Sequence, residues 1–150
     1  GEVFALQGRA FGKEQPKYLT LKLDEKKQKI FGLDRVNLQK RLYIVEGPID
    51  SLFIDNCLAA AGADLQLPVE KKDVVFIFDN EPRNKQIIDR MYRVIEKEYM
   101  LVIWPEGQVE KDINDMIMNG KSKSDIQNII SENTYSGLSA LTQLNSYKRC

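Results

Sequence analysis

The chain has 150 residues, 43% hydrophobic and 29% charged, a balance that fits one folded domain and excludes wholesale disorder. It contains no histidine, which excludes Ser-His-Asp or Cys-His catalysis by its own residues and any imidazole metal site. The two cysteines, Cys57 and Cys150, cannot build a zinc site alone, so a metal here would be a hard cation held by carboxylates.

The formal charge is zero, but the signs are segregated. Residues 1–41 hold ten Lys/Arg and five Asp/Glu, residues 42–120 hold eight and fifteen, and residues 121–150 hold four and two. One reading is a solvated surface. The other is a basic face for a polyanion beside a carboxylate cluster for a divalent cation. No run approaches the roughly 20 apolar residues of a membrane span. The opening residues do not read as a secretory leader, and a cytoplasmic setting without membrane contact is expected.

Residues 1–41 read as short strands and loops, opening in mid-pattern. Tyr18-Leu19-Thr20-Leu21-Lys22-Leu23 alternates at period two, the pattern of a half-buried strand. Leu42-Tyr43-Ile44-Val45 is a continuous apolar run, a buried strand. After Glu46-Gly47-Pro48, the spacing of Ile49, Leu52, Phe53, Cys57 and Ala60 predicts a helix closed by Gly62. Residues 74–78 form the strongest strand, a helix spans roughly 84–98, and residues 101–103 form another buried strand. A further helix covers about 122–132, and the Ser/Thr/Gly-rich tail from Asn133 is expected to be loose. Alternating strands and helices predict an α/β fold with a mainly parallel sheet flanked by helices.

In such sheets, sites form at the carboxyl ends of the strands. Each apolar strand here is followed by acid: Glu46 with Asp50, Asp79 with Glu81, and, through a loop, Asp112 with Asp115. If the strands are neighbours, these acids converge. Converging carboxylates repel unless a cation neutralises them. Mg²⁺ takes oxygen ligands and bridges one or two carboxylates to phosphates, so the arrangement points to phosphoryl or nucleotidyl transfer. Each acid also has a plain role open to it. Glu46 can favour a helix N-terminus, Asp79 and Glu81 can serve a turn beside Pro82, and Asp112 can be an N-cap. Trp104 and Cys57 read as packing residues.

Glu46-Gly47-Pro48-Ile49-Asp50 after an apolar strand resembles the E-G-x-x-D motif of Toprim domains, and Asp79-Asn80-Glu81 resembles their D-x-D motif. The flanks resemble bacterial- and phage-type DNA primases: Gly8-Arg9, Lys17-Tyr18-Leu19 and Ile30-Phe31-Gly32-Leu33 before the domain, and Lys111-Asp112-Ile113-Asn114-Asp115 as a third acidic motif. The resemblance covers about residues 3–120. It implies a Rossmann-like Toprim sheet over 42–120, preceded by a small, strand-rich, basic part of the primase core over 1–41 and followed by a helix and tail over 121–150. It implies that Glu46, Asp79, Glu81 and Asp112 hold Mg²⁺ or Mn²⁺, with Asp50 in support. Arg9, Lys17, Tyr18 and Lys26 match positions that contact template or nucleotide. The implied activity is RNA-primer synthesis on single-stranded DNA from ribonucleoside triphosphates during replication, with a replicative helicase reached through regions outside this segment. The same acids would also serve a Toprim nuclease, and a non-catalytic nucleic-acid-binding module is the third reading. Glu81 stands where the second acid of D-x-D is shorter, which leaves the metal count open.

Overall fold

The computed structural model describes residues 2–16, 18–60 and 65–150. The chain begins with an antiparallel hairpin of β1 (Ala5–Arg9) and β2 (Tyr18–Lys22), in register from Ala5 opposite Lys22 to Arg9 opposite Tyr18. The alternation at 18–23 does make a strand, but not a half-buried one. Leu19, Leu21 and Leu23 are exposed, as is Leu6 across from Leu21. A two-stranded ribbon has no second layer to cover its apolar face.

The main sheet has six strands. They are β3 (Ile30–Phe31), β4 (Leu42–Val45), β5 (Cys57–Ala60), β6 (Val74–Ile77), β7 (Met100–Val102) and β8 (Thr134–Tyr135), in the order β3-β5-β4-β6-β7-β8. The four inner strands are parallel, and the two outer ones pair antiparallel. Helices cover both faces, which is why the inner strands read as unbroken apolar runs. On one face Leu42, Ile44, Val74, Phe76 and Leu101 pack against α1 (Lys85–Glu96) and α4 (Gly137–Tyr147). On the other, Val45, Val75, Ile77 and Val102 pack against α2 (Ile113–Met118) and α3 (Lys123–Glu132). Each such apolar side chain contributes roughly 1.5–3 kcal/mol by leaving water. Ile87, Ile88, Met91, Val94 and Ile95 form the buried stripe of α1, as their spacing predicts.

Two further expectations fail. Residues 49–60 are not a helix: a single 3₁₀ turn at Asp50–Leu52 leads to β5, which runs parallel to β4. Asn56 ends that connection in the left-handed region (φ 51°) and ties it down, donating to the carbonyls of Asn37 (3.0 Å) and Arg41 (2.8 Å) and accepting from the Asn37 amide (2.7 Å). Gly62, expected to close the helix, lies outside the described residues. The tail is not loose either. It supplies the edge strand β8 and the eleven-residue α4, anchored by Ala140 and Leu144, which are fully buried one turn apart.

Candidate active site

The parallel pairing of β4, β6 and β7 brings their carboxyl ends to one edge. Glu46 follows β4, Asp79 follows β6, and the loop after β7 leads to Lys111 and Asp112. Glu46, Asp50, Asp79, Lys111 and Asp112 line one cleft of about 350 Å³, together with Gln7 and Tyr18 of the hairpin. The structure thus brings together four of the acids singled out in the sequence, and sets a hairpin wall against them.

Local chemistry explains the motifs. In Glu46-Gly47-Pro48-Ile49-Asp50, the Asp50 carboxylate folds over Gly47 into the space a β-carbon would fill. From there Asp50 Oδ1 accepts the backbone N–H of Asn114 at 2.9 Å, joining the first motif to the third. Asp112 is the N-cap of α2 and accepts the Asp115 N–H at 2.8 Å, so its helix role and its place in the cleft coexist. Asn80 works as a clamp. Its backbone N–H donates to the Lys111 carbonyl (2.6 Å), and its side-chain amide donates to the carbonyls of Gln108 (2.7 Å) and Glu110 (3.1 Å). The nearly buried Glu110 is in turn gripped by Lys121 at 2.6 Å, which lowers its carboxyl pKa. Trp104 is buried and donates its indole N–H to the Phe78 carbonyl (2.8 Å), a packing and bracing role.

The electrostatics are those of crowded carboxylates. Burial raises Asp79 to about 6, and the charges of Asp112, Asp50 and Glu46 push the same way against Lys111. Asp50 is raised by burial first, opposed by the Asn114 amide, with Asp112 and Asp115 adding to the rise and Arg9 lowering it. Among the described residues, Arg90 and Lys111 make ion pairs with these acids. Arg90 of α1 pairs with Glu46, and Lys111 lies 3.3 Å from Glu81 Oε1 and 3.9 Å from Asp79 Oδ2.

The other residues marked by the sequence distribute unevenly. Tyr18 lines the cleft, and Arg9 stacks its guanidinium over the Tyr18 ring at 5.6 Å. Glu81 sits on Lys111 and Asn84 and is not part of the cleft lining. Lys26 is exposed in a turn, its backbone N–H bonded to Asp24 Oδ1 at 2.9 Å, and does not reach the cleft lining. Lys17 lies outside the described residues. Just after the second motif, which the sequence did mark, Asn84 caps α1, while Arg83 and Lys85 are exposed beside it. Arg90, Asn80 and Tyr147 went unmarked in the sequence. Arg90 is one polar residue among several on α1, and Tyr147 falls in the tail, so neither carried a local signal.

Among the described residues, no three of His, Cys, Asp and Glu are grouped tightly enough to cage an ion by themselves. The donor set is nonetheless all oxygen and part-buried, and like charges already strain its protonation. It fits a hard cation that keeps waters and draws its remaining ligands from phosphate.

No protein-family model matches the chain. Over 99% of its length it is 36% identical to the DNA primase of Enterobacteria phage T4, of which it spans 45%. The chain resembles a segment of a bacterial- and phage-type DNA primase. Solved primase cores have the same fold. The Escherichia coli primase catalytic core matches over 97% of this chain and 52% of its own (TM-score 0.64, 20% identity). The Aquifex aeolicus primase zinc-binding and RNA polymerase domains match over 90% and 38% (TM-score 0.65, 22% identity). A DnaG primase catalytic domain bound to single-stranded DNA matches over 97% and 53% (TM-score 0.64, 17% identity). The chain therefore spans about half or less of these primases, and they share its mainly parallel α/β sheet. Among its described residues, no helix is long and apolar enough to cross a membrane.

Proposed function

We propose that this chain is the metal-binding, Toprim-type half of a primase polymerase core, acting in RNA-primer synthesis on single-stranded DNA. The observation that carries the reading is the cleft itself: Glu46, Asp50, Asp79 and Asp112 face a hairpin wall bearing Tyr18, with Arg9 stacked on it. Residues 1–41 serve as the basic lead-in, 42–120 as the unit carrying the acids, and 121–150 as its packed completion.

In this reading Glu46, Asp79, Glu81 and Asp112 hold Mg²⁺ or Mn²⁺, and Asp50 fixes the third motif through Asn114. The bound cations would lower the pKa of the attacking 3′-hydroxyl and neutralise charge on the triphosphate. The protein's own share is positional. Arg90 orients Glu46, and the Asn80 clamp holds Asp79 and Asp112 at a fixed spacing. Arg9 and Tyr18 offer a cation and an aromatic face to template or nucleotide. A role in DNA replication would suit a cytoplasmic setting.

Template-dependent incorporation of ribonucleotides on single-stranded DNA, with Mg²⁺ or Mn²⁺, tests the reading in the parent protein and its Glu46→Gln and Asp79→Asn variants. Oligoribonucleotide synthesis by the parent, lost in both variants, is the expected outcome. Acid-dependent cleavage of the DNA without synthesis would assign a nuclease instead. DNA binding with neither activity would assign a binding module.

A further inference from the structure

Lys111 stands between the two acids of the second motif, 3.3 Å from Glu81 and 3.9 Å from Asp79. The base of this side chain is locked, because the Lys111 carbonyl accepts the Asn80 N–H at 2.6 Å and the two carbonyls nearby hold the Asn80 amide. Its far end is open to solvent: the side chain is 53% exposed and lines the cleft. The other resident cation differs. Arg90 stands in the middle of α1, is less exposed than Lys111 and pairs with Glu46.

We propose that Lys111 is a displaceable counter-ion, its ammonium holding the position between Asp79 and Glu81 that a divalent cation would bridge. The proposal rests on the reading of these acids as metal ligands. An ammonium and a divalent cation repel each other and cannot share the same pair of carboxylates. A half-exposed lysine pair is weak, so the doubly charged ion wins the exchange but at reduced affinity. The long flexible stem lets the displaced ammonium turn into the cleft. There it faces the space that phosphates would occupy, so the same charge that holds the empty site together becomes a contact for a polyanionic ligand. Lys111 thereby sets the cation affinity of the second motif.

The test is Mn²⁺ titration of the chain by calorimetry, with Trp104 fluorescence as a second readout, in Lys111→Met, Lys111→Gln and Lys111→Arg. Removing the competing charge in the Met and Gln variants should tighten Mn²⁺ binding about threefold to fivefold, while the Arg variant stays near the parent. Thermal melting of each variant without metal separates this effect from a loss of fold. Binding in the Met and Gln variants that is unchanged or weaker than in the parent overturns the proposal. Glu46→Gln and Asp79→Asn isolate the underlying reading: Mn²⁺ binding that survives both substitutions removes the metal assignment of the acids themselves. Absence of binding in the parent and in every Lys111 variant rejects that assignment too.

Discussion

Tyr147 donates its hydroxyl to Asn80 Oδ1 across 3.0 Å, joining the last helix to the second acidic motif over 67 positions of sequence. Because the same amide also holds the carbonyls of Gln108 and Glu110, one side chain couples the end of β6, the loop after β7 and α4. Removing the hydroxyl in Tyr147→Phe should cost about 1 kcal/mol. Asn80→Ala strips three bonds and leaves two loop carbonyls without their donor, so its cost should be larger, about 2–3 kcal/mol. Denaturant unfolding of both variants measures the two losses and their order.

The raised Asp79 carboxyl makes stability depend on pH. In the fold it titrates at about 6, against an ordinary value of 3.8. The folded chain therefore holds this proton more tightly than the unfolded chain. The favourable contribution is full below pH 3.8 and is lost as pH rises through about 6. Asp79→Asn, which carries no charge at any pH, should be more stable than the parent above pH 6, by about 1–2 kcal/mol after allowance for solvent exposure. The advantage should vanish near pH 4. Thermal melts in this range without divalent cation check both limits.

Gly47→Ala should separate stability from the site. The added β-carbon meets only the end of the Asp50 side chain. The carboxylate swings away and gives up its bond to the Asn114 amide. The expected loss of stability is about 1 kcal/mol, while Mn²⁺ affinity falls at least as far as in Asp50→Asn. Parent-like metal binding by Gly47→Ala would mean that Asp50 has no part in the site.

The two thiols should react on different timescales. Cys150 is exposed, whereas Cys57 is buried in β5 and burial pushes its thiol up to about 12. Only a thiolate attacks an aromatic disulfide reagent. One equivalent should be labelled promptly in the native chain, and the second only at the rate of unfolding.

How far the sequence foretold this molecule depends on the element. Leu42–Val45 and Val74–Ile77 were legible because both their faces are buried, and β-branched residues make such runs read as strand. Cys57-Leu58-Ala59-Ala60 is also fully buried, but leucine and alanine favour helix locally, and only pairing beside β4 and β3 makes it a strand. The α4 stripe was hidden because its serines and threonines dominated the reading, while Ala140 and Leu144, with Tyr147 packed beside them, reach the core. The acids could be placed on one edge because β4, β6 and β7 are neighbours in the sheet. Their partners could not, since Arg90–Glu46 and Tyr147–Asn80 join residues 44 and 67 positions apart.

The two outermost strands, β3 and β8, are each two residues long and run against their neighbours. A border so short offers an incoming chain almost no backbone to latch onto, and an antiparallel rim does not continue the parallel order within. The sheet therefore offers little purchase for growth from either side. Crowding many copies together, as in concentrated stocks or during overproduction, should not recruit this sheet into fibrils.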